Sequence, residues 1–278
     1  MKIKLLTVSF FIMLANTAIS CDKGNKPEMK QQAITAEESS TSEKPAPIIT
    51  ANFPKEVSIL LPTQYRKKST GYPQNVKDKN WFELYKEEKT GKWLIGKADL
   101  KISYGRDECV GEDVMIIKSK HEDVVLFFTG FDGLNLNPET ILEDKPLFPE
   151  HNISFKFKGQ EYLLSPMGSV VDDEGHILPA NLVREQTQQE LADSQITDYT
   201  LSFSVGNETF NLATINKIEF STPKIIWLGD LNGDDLPDMI LDLSSFYETQ
   251  RLFFFLSDPN DKKQPLKKVA DLEVINDC

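Results

Sequence analysis

The chain has 278 residues, 31 basic and 43 acidic side chains, a formal net charge of −12, 40% hydrophobic residues and three cysteines. That charge argues against a nucleic-acid binder, because neutralising phosphates takes clustered Lys and Arg, and the apolar content is too high for a wholly disordered chain. No apolar run reaches the roughly 18 residues of a membrane-spanning helix, and the length suits one sizeable core or two small domains.

Residues 1–20 read as a removable secretory signal. Lys2 and Lys4 form a positive n-region, Leu5 to Ala15 an apolar stretch too short to span a bilayer, and Ala18-Ile19-Ser20 supplies small residues for cleavage before Cys21. The segment resembles the lipobox of bacterial lipoproteins, with Ala18 where Leu is usual. The resemblance implies that Cys21 becomes the new N-terminus, carries a diacylglyceryl thioether, and anchors the exported chain to a membrane of the bacterial cell envelope, facing the periplasm or the cell surface. Loss of residues 1–20 leaves 29 basic against 43 acidic residues. With Cys21 modified, Cys109 and Cys278 remain, and an oxidising compartment permits them to pair. A disulfide between them is expected, since a free thiol on Cys278 would be a liability outside the cytoplasm.

Residues 21–50 then read as a flexible tether. They are polar and low in aromatics, ending in Lys44-Pro45-Ala46-Pro47, and cannot bury enough apolar surface to offset their ordering entropy.

The body reads as mainly β, in antiparallel hairpins of sandwich-like or propeller-blade-like form, with a soft division into β-rich regions 51–150 and 151–278 or a single domain over 51–278. Val57 to Leu61 is a short apolar run closed by Pro62. Trp81 to Tyr85 and Trp93 to Ile95 flank the turn signal Lys89-Thr90-Gly91. Val114 to Ile117 and Val124 to Phe128 read as buried strands. Ile153 to Phe157 alternates with period two, turns at Lys158-Gly159 and returns through Tyr162 to Leu164. Leu201 to Val205 does the same, turning at Gly206-Asn207 and returning through Phe210 to Ala213. Ile225 to Leu228, Met239 to Leu241, Leu252 to Leu256 and Val269 to Val274 complete the strands. Only Leu182 to Leu191 reads as helix, and no tandem repeat supports a full propeller.

Most motif-like segments dissolve on inspection. Gly91 to Ala98 nearly matches a phosphate loop, but its Trp-Leu-Ile interior wants to be a strand and Ala98 lacks the hydroxyl that magnesium needs, so no nucleotide is expected. His121-Glu122 is followed by Val125 instead of a second His, and His151 and His176 are scattered. Asp172-Asp173-Glu174-Gly175 and Asp132 to Asn137 read as solvated loops. Carboxylate pairs for glycoside hydrolysis meet in space and not in sequence, so they are invisible at this level.

One segment stands apart. Asp230-Leu231-Asn232-Gly233-Asp234-Asp235-Leu236-Pro237-Asp238 places oxygen side chains at positions 1, 3, 5 and 9 of a tight loop between two strands. Calcium takes six to eight oxygens, and alternate residues of such a loop point inward. An EF-hand is excluded by Asp235 and Leu241 at its Gly and Glu positions. The loop resembles the calcium loops of FG-GAP and VCBS repeats, known from integrin α-subunit propellers, over about 20 residues. The resemblance implies Asp230, Asn232, Asp234 and Asp238 as side-chain ligands of Ca²⁺ and the Leu236 carbonyl as a backbone ligand. Asp235 stands where the family has Gly, a position that asks for a left-handed backbone, which Asp tolerates at modest cost. The reading that follows is a lipid-anchored, calcium-stabilised binding or structural module with a protein or glycan ligand, more a binder than an enzyme. The alternative is a periplasmic or surface hydrolase acting on a glycan or phosphoester with carboxylates drawn from separate loops.

Overall fold

The computed structural model describes residue 54 and residues 56–131, 134–187, 191, 194–261 and 263–275. The signal segment, Cys21, the tether and Cys278 lie outside the described residues. In chain order the strands begin β1 (Ser58–Leu60), β2 (Gln64–Arg66), β3 (Phe82–Lys86), β4 (Trp93–Lys97), β5 (Lys101–Arg106), β6 (Asp113–Lys118), β7 (Val124–Thr129) and β8 (Glu139–Pro146). There follow β9 (Ile153–Phe157), β10 (Gln160–Val171), helix α1 (Ala180–Glu185), β11 (Gln195–Val205), β12 (Glu208–Ile218), β13 (Lys224–Asp230), β14 (Asp238–Asp242), β15 (Thr249–Ser257) and β16 (Leu266–Ile275). The architecture is mainly β and antiparallel, as the hairpin patterning implies. The strands form four sheets, in the orders β1-β7-β3-β4, β2-β6-β5, β12-β11-β10-β9 and β16-β15-β14-β13-β8.

The five-stranded sheet is the central layer. Along β15, Phe253 and Phe255 join one apolar cluster with Phe155, Tyr162 and Phe203 of the β9–β12 sheet. Leu252, Phe254 and Leu256 join another with Leu84, Leu126 and Phe128 on the opposite side. Successive side chains leave opposite faces of a strand, so a strand covered on both faces must be apolar throughout. This accounts for the unbroken run Leu252-Phe253-Phe254-Phe255-Leu256 and for Met239-Ile240-Leu241 beside it. Burying one such side chain stabilises by about 1.5–3 kcal/mol.

The turns follow their chemistry. Lys158 (φ 45°) and Gly159 (φ 81°) form the two-residue link between β9 and β10, both in the left-handed region that a tight hairpin of this twist requires. Of the helix expected over 182–191, Ala180–Glu185 forms α1, opened by Pro179, and Leu191, buried, is again helical, its amide donated to the Thr187 carbonyl at 3.2 Å; residues 188–190 lie outside the described residues. Three strands escape the apolar patterning: β2, most of β5, and the charged edge strand β8.

Candidate cation site

The acidic loop spans the gap between β13 and β14, whose last pair is Gly229 with Asp238. Gly229 is required here: a Cβ would stand 2.1 Å from the Glu139 carbonyl oxygen and 2.5 Å from the Trp227 ring. The buried indole of Trp227 thus lies against the chain just before Asp230, with its N–H donated to Thr140 Oγ1 at 3.0 Å. At the loop's end, Ser257 of β15 reaches in from the neighbouring strand.

Within the loop the carboxylates cap backbone amides. Asp230 Oδ1 accepts from the amides of Gly233 (2.7 Å) and Asp234 (3.2 Å), and its Oδ2 from Asp235 (3.2 Å). Asn232 Oδ1 accepts from the Asp234 amide at 3.1 Å, and Asp234 Oδ1 from the Leu236 amide at 2.9 Å. Asp238 Oδ2 takes the Leu231 amide at 2.8 Å and Oδ1 the Ser257 amide at 2.8 Å. Gly233 (φ 81°) and Asp235 (φ 63°) both adopt the left-handed backbone. Leu236 is half-buried. The loop residues singled out from the sequence therefore meet in one tight turn, joined by Ser257, which sequence reasoning missed.

Ser257 exposes an imbalance. Its hydroxyl lies 2.9 Å from Asp238 Oδ1 and 2.9 Å from Asp234 Oδ2. A hydroxyl carries one proton, so two carboxylates compete for a single donor. Asp238 is fully buried and Asp230 is 4% exposed. Burial, reinforced by the charge of Asp234, raises the Asp238 carboxyl well above the usual carboxylate range. Burial also raises Asp230 and Asp234. On the outer side, Lys158 Nζ sits 3.2 Å from Asp235 Oδ1 and 3.0 Å from Glu139 Oε2. Asp235 is thereby neutralised from outside the loop, and the inner carboxylates have no such partner among the described residues.

As placed, these side chains do not form a group of three or more His, Cys, Asp or Glu arranged to hold a metal, nor does any other set among the described residues. Their oxygens are turned to the loop amides. A carboxylate offers about four lone-pair sites, however, and amide donors take three on Asp230 and two each on Asp234 and Asp238, with the single Ser257 hydroxyl proton contested between the last two. The donor set is oxygen-only and suits a hard cation.

A second polar cluster lies elsewhere. Glu83 of β3 is fully buried; its Oε1 meets His121 Nδ1 at 2.7 Å and its Oε2 accepts from Ser119 Oγ at 2.5 Å. His121 stacks on Tyr85 with centroids 4.0 Å apart and planes 3° apart. The residue types are those of a hydrolytic triad, but the Ser119 proton goes to the carboxylate and not to the imidazole, so the hydroxyl is not activated as a nucleophile. The cluster ties β3 to the turn between β6 and β7.

Cys109 lies in the exposed turn between β5 and β6, its amide donated to Asp107 Oδ1 at 2.9 Å. The other two cysteines, Cys21 and Cys278, lie outside the described residues. The chain matches no known family profile, no characterised protein and no solved structure.

Proposed function

We propose that this chain is a lipid-anchored module of the bacterial cell envelope, exported through its signal, held by Cys21, and braced by one calcium ion in the loop 230–238. The observation that carries the calcium reading is the convergence of Asp234 and Asp238 on the single hydroxyl proton of Ser257, with Asp238 fully buried. A buried charge normally requires a partner, and a divalent cation supplies one to both carboxylates together. Asp230, Asn232, Asp234, Asp238 and the Leu236 carbonyl would hold it, with water completing the shell. The ion's contribution is structural: it fixes the β13–β14 hairpin against β15, while the module's surfaces engage a protein or glycan. The proposed partner of Cys109 is Cys278, which ties the end of the chain to the β5–β6 turn.

Calorimetry of chelator-stripped protein tests the ion. With a dissociation constant of about 0.1 mM and about 1 mM free calcium, linkage gives about 1.4 kcal/mol of stabilisation. Magnesium should bind less well, since it demands a tighter octahedron and gives up water reluctantly. No heat of calcium binding and no calcium-dependent shift in melting would reduce the loop to an acidic turn. The anchor is tested separately: radiolabelled palmitate should enter the wild-type protein but not Cys21→Ser, and unlabelled wild type at the cleaved size refutes it.

A further inference from the structure

Two connections meet at the end of the β13–β14 hairpin away from the acidic loop. Residues 219–223 lead from β12 into β13, and residues 243–248 lead from β14 into β15. Glu219 and Phe246 form a parallel bridge. The Glu219 amide donates to the Ser245 carbonyl at 2.9 Å, and the Thr249 amide to the Phe246 carbonyl at 3.0 Å. The two loops are thus fixed to each other through their backbones. They carry three aromatic rings that touch: Phe220, Phe246 and Tyr247. The Phe246 and Tyr247 centroids are 4.6 Å apart, and Phe220 stands edge-on to both, at 6.5 and 6.3 Å. These are the spacings of rings in contact, so the three make one apolar surface with no space enclosed between them.

Phe246 is half-buried, but Phe220 is 59% and Tyr247 61% exposed. Phe220 also holds a left-handed backbone, φ 51°, where a bulky side chain is strained. A small satellite core tying the loops together would account for Phe246. It does not account for two rings left mostly in water, one of them on a strained backbone. Contiguous exposed apolar surface marks interaction sites, and loops on a rigid scaffold are where binding residues gather. The size is informative. Rings of this kind, so exposed, leave about 300 Å² of aromatic surface open, well short of the roughly 800 Å² per partner of a stable protein interface. The chemistry of the edge narrows the ligand further. Tyr247 Oη donates to Glu248 Oε1 at 2.7 Å, and Glu248 has no ion-pair partner among the described residues. Its charge, with the formal −12 of the chain, repels an anion, while its free lone pairs accept from a hydroxyl. An ammonium group is best held in an aromatic cage, and rings in mutual contact leave no cage to enter.

We infer that Phe220, Phe246 and Tyr247 form a stacking platform for an uncharged glycan of β-1,4-linked, equatorially substituted pyranoses, with Glu248 accepting one of its hydroxyl protons. Such sugar rings carry axial C–H groups on their faces and hydroxyls around their rims, which matches an apolar platform with an acceptor at its edge. The face of an aromatic ring is its negative side and so attracts those C–H groups. This ligand rests on the proposed reading of the chain as a binding module, and it is independent of the calcium loop, which lies at the opposite end of the β13–β14 hairpin.

The test uses the full chain carrying Cys21→Ser, so that no detergent is needed, with cellotetraose and chitotetraose as probes. Saturation-transfer NMR, with the protein's aromatic protons irradiated, should label the axial ring protons of at least one probe, and the signal should saturate on titration. The β-1,4-linked tetramer of glucuronate, which is anionic, and tetralysine, which is cationic, should bind at least about tenfold more weakly. Tyr247→Ala should weaken the sugar at least about tenfold while leaving the calcium response of melting unchanged. Phe220→Gly should do the same without melting lower, because glycine relieves the left-handed backbone. The platform is overturned if neither tetrasaccharide binds, if the anionic tetramer or tetralysine binds as tightly, or if both variants bind the sugar as the parent does. It is also overturned if sedimentation shows a dimer that Tyr247→Ala disperses, since the rings then belong to a second copy of the chain. Failure of the sugars with the calcium response intact removes this ligand and leaves the calcium-braced module standing.

Discussion

Replacing Asp234 by Asn removes one formal charge from the acidic loop while keeping its shape. Asp234 Oδ1, which accepts the Leu236 amide, survives as the carboxamide oxygen. The new Nδ2 stands where Oδ2 was and can donate to Ser257 Oγ, freeing the Ser257 proton for Asp238 alone. The lost interaction is minor, the contact of 3.1 Å from Asn232 Nδ2. The gain is relief of repulsion. The two carboxylate oxygens each lie 2.9 Å from the same hydroxyl oxygen, so they are at most about 5.8 Å apart. At that separation two unit charges repel by about 3 kcal/mol at an effective dielectric constant of 20.

Part of that energy is relieved in the wild type by protonation, because the Asp238 carboxyl is already pushed upward by burial and by Asp234. A net gain of about 1–2 kcal/mol remains for the metal-free variant at neutral pH. Calcium should stabilise the wild type by about 1.4 kcal/mol and the variant by much less. Thermal unfolding followed by circular dichroism should therefore place Asp234→Asn above the wild type by about 2–8 °C in chelator, at 2–4 °C per kcal/mol for a body of this size. In millimolar calcium the gap should close. The pH dependence has a definite sign. A carboxyl raised on folding destabilises progressively above its unfolded value, so acidifying the chelated wild type from pH 7 towards 5 should also narrow the gap. If the variant melts below the wild type in chelator, or keeps the full calcium shift, the two carboxylates are not the strained pair described above.

Three further outcomes follow from other parts of the fold. Gly229→Ala should cost about 1–3 kcal/mol by overpacking, read as a lower urea midpoint with an unchanged slope, because its methyl has no room between Glu139 and Trp227. Phe254→Ala should cost about 3–5 kcal/mol in the same assay, since the ring is fully buried in the cluster between the central sheet and Phe128. Asp107, held below the usual carboxylate range chiefly by its hydrogen bond from Arg66 at 2.9 Å, contributes stability above its unfolded value of about 3.9 and loses it as pH falls through the lower folded value. The urea midpoints of wild type and Asp107→Asn should thus stay a constant distance apart from pH 7 to 5 and converge below about pH 4.

What could be read from the residues alone follows from how locally each feature is determined. The β9–β10 hairpin is legible because alternation and a Lys-Gly turn are sequence-local. The runs Met239 to Leu241 and Leu252 to Leu256 announce burial on both faces, although which sheets cover them is not encoded nearby. The loop 230–238 is legible because the side-chain oxygens of Asp230, Asn232 and Asp234 cap amides only two to five residues away. Ser257 is invisible: a single serine ending an apolar run gives no sign that it will meet Asp238, 19 positions earlier. Glu83 and His121, 38 positions apart, are hidden for the same reason. Strand β8 is the instructive miss. Glu139-Thr140-Ile141-Leu142-Glu143-Asp144-Lys145-Pro146 carries charge and proline that argue against a strand. Those residues mark an edge, where among the described residues β8 pairs only with β13 and charge and proline discourage a further strand. The composition that conceals the strand from patterning is the one an edge permits, because an edge is the place in a doubly covered sheet where charged side chains can stand beside apolar ones and still reach water.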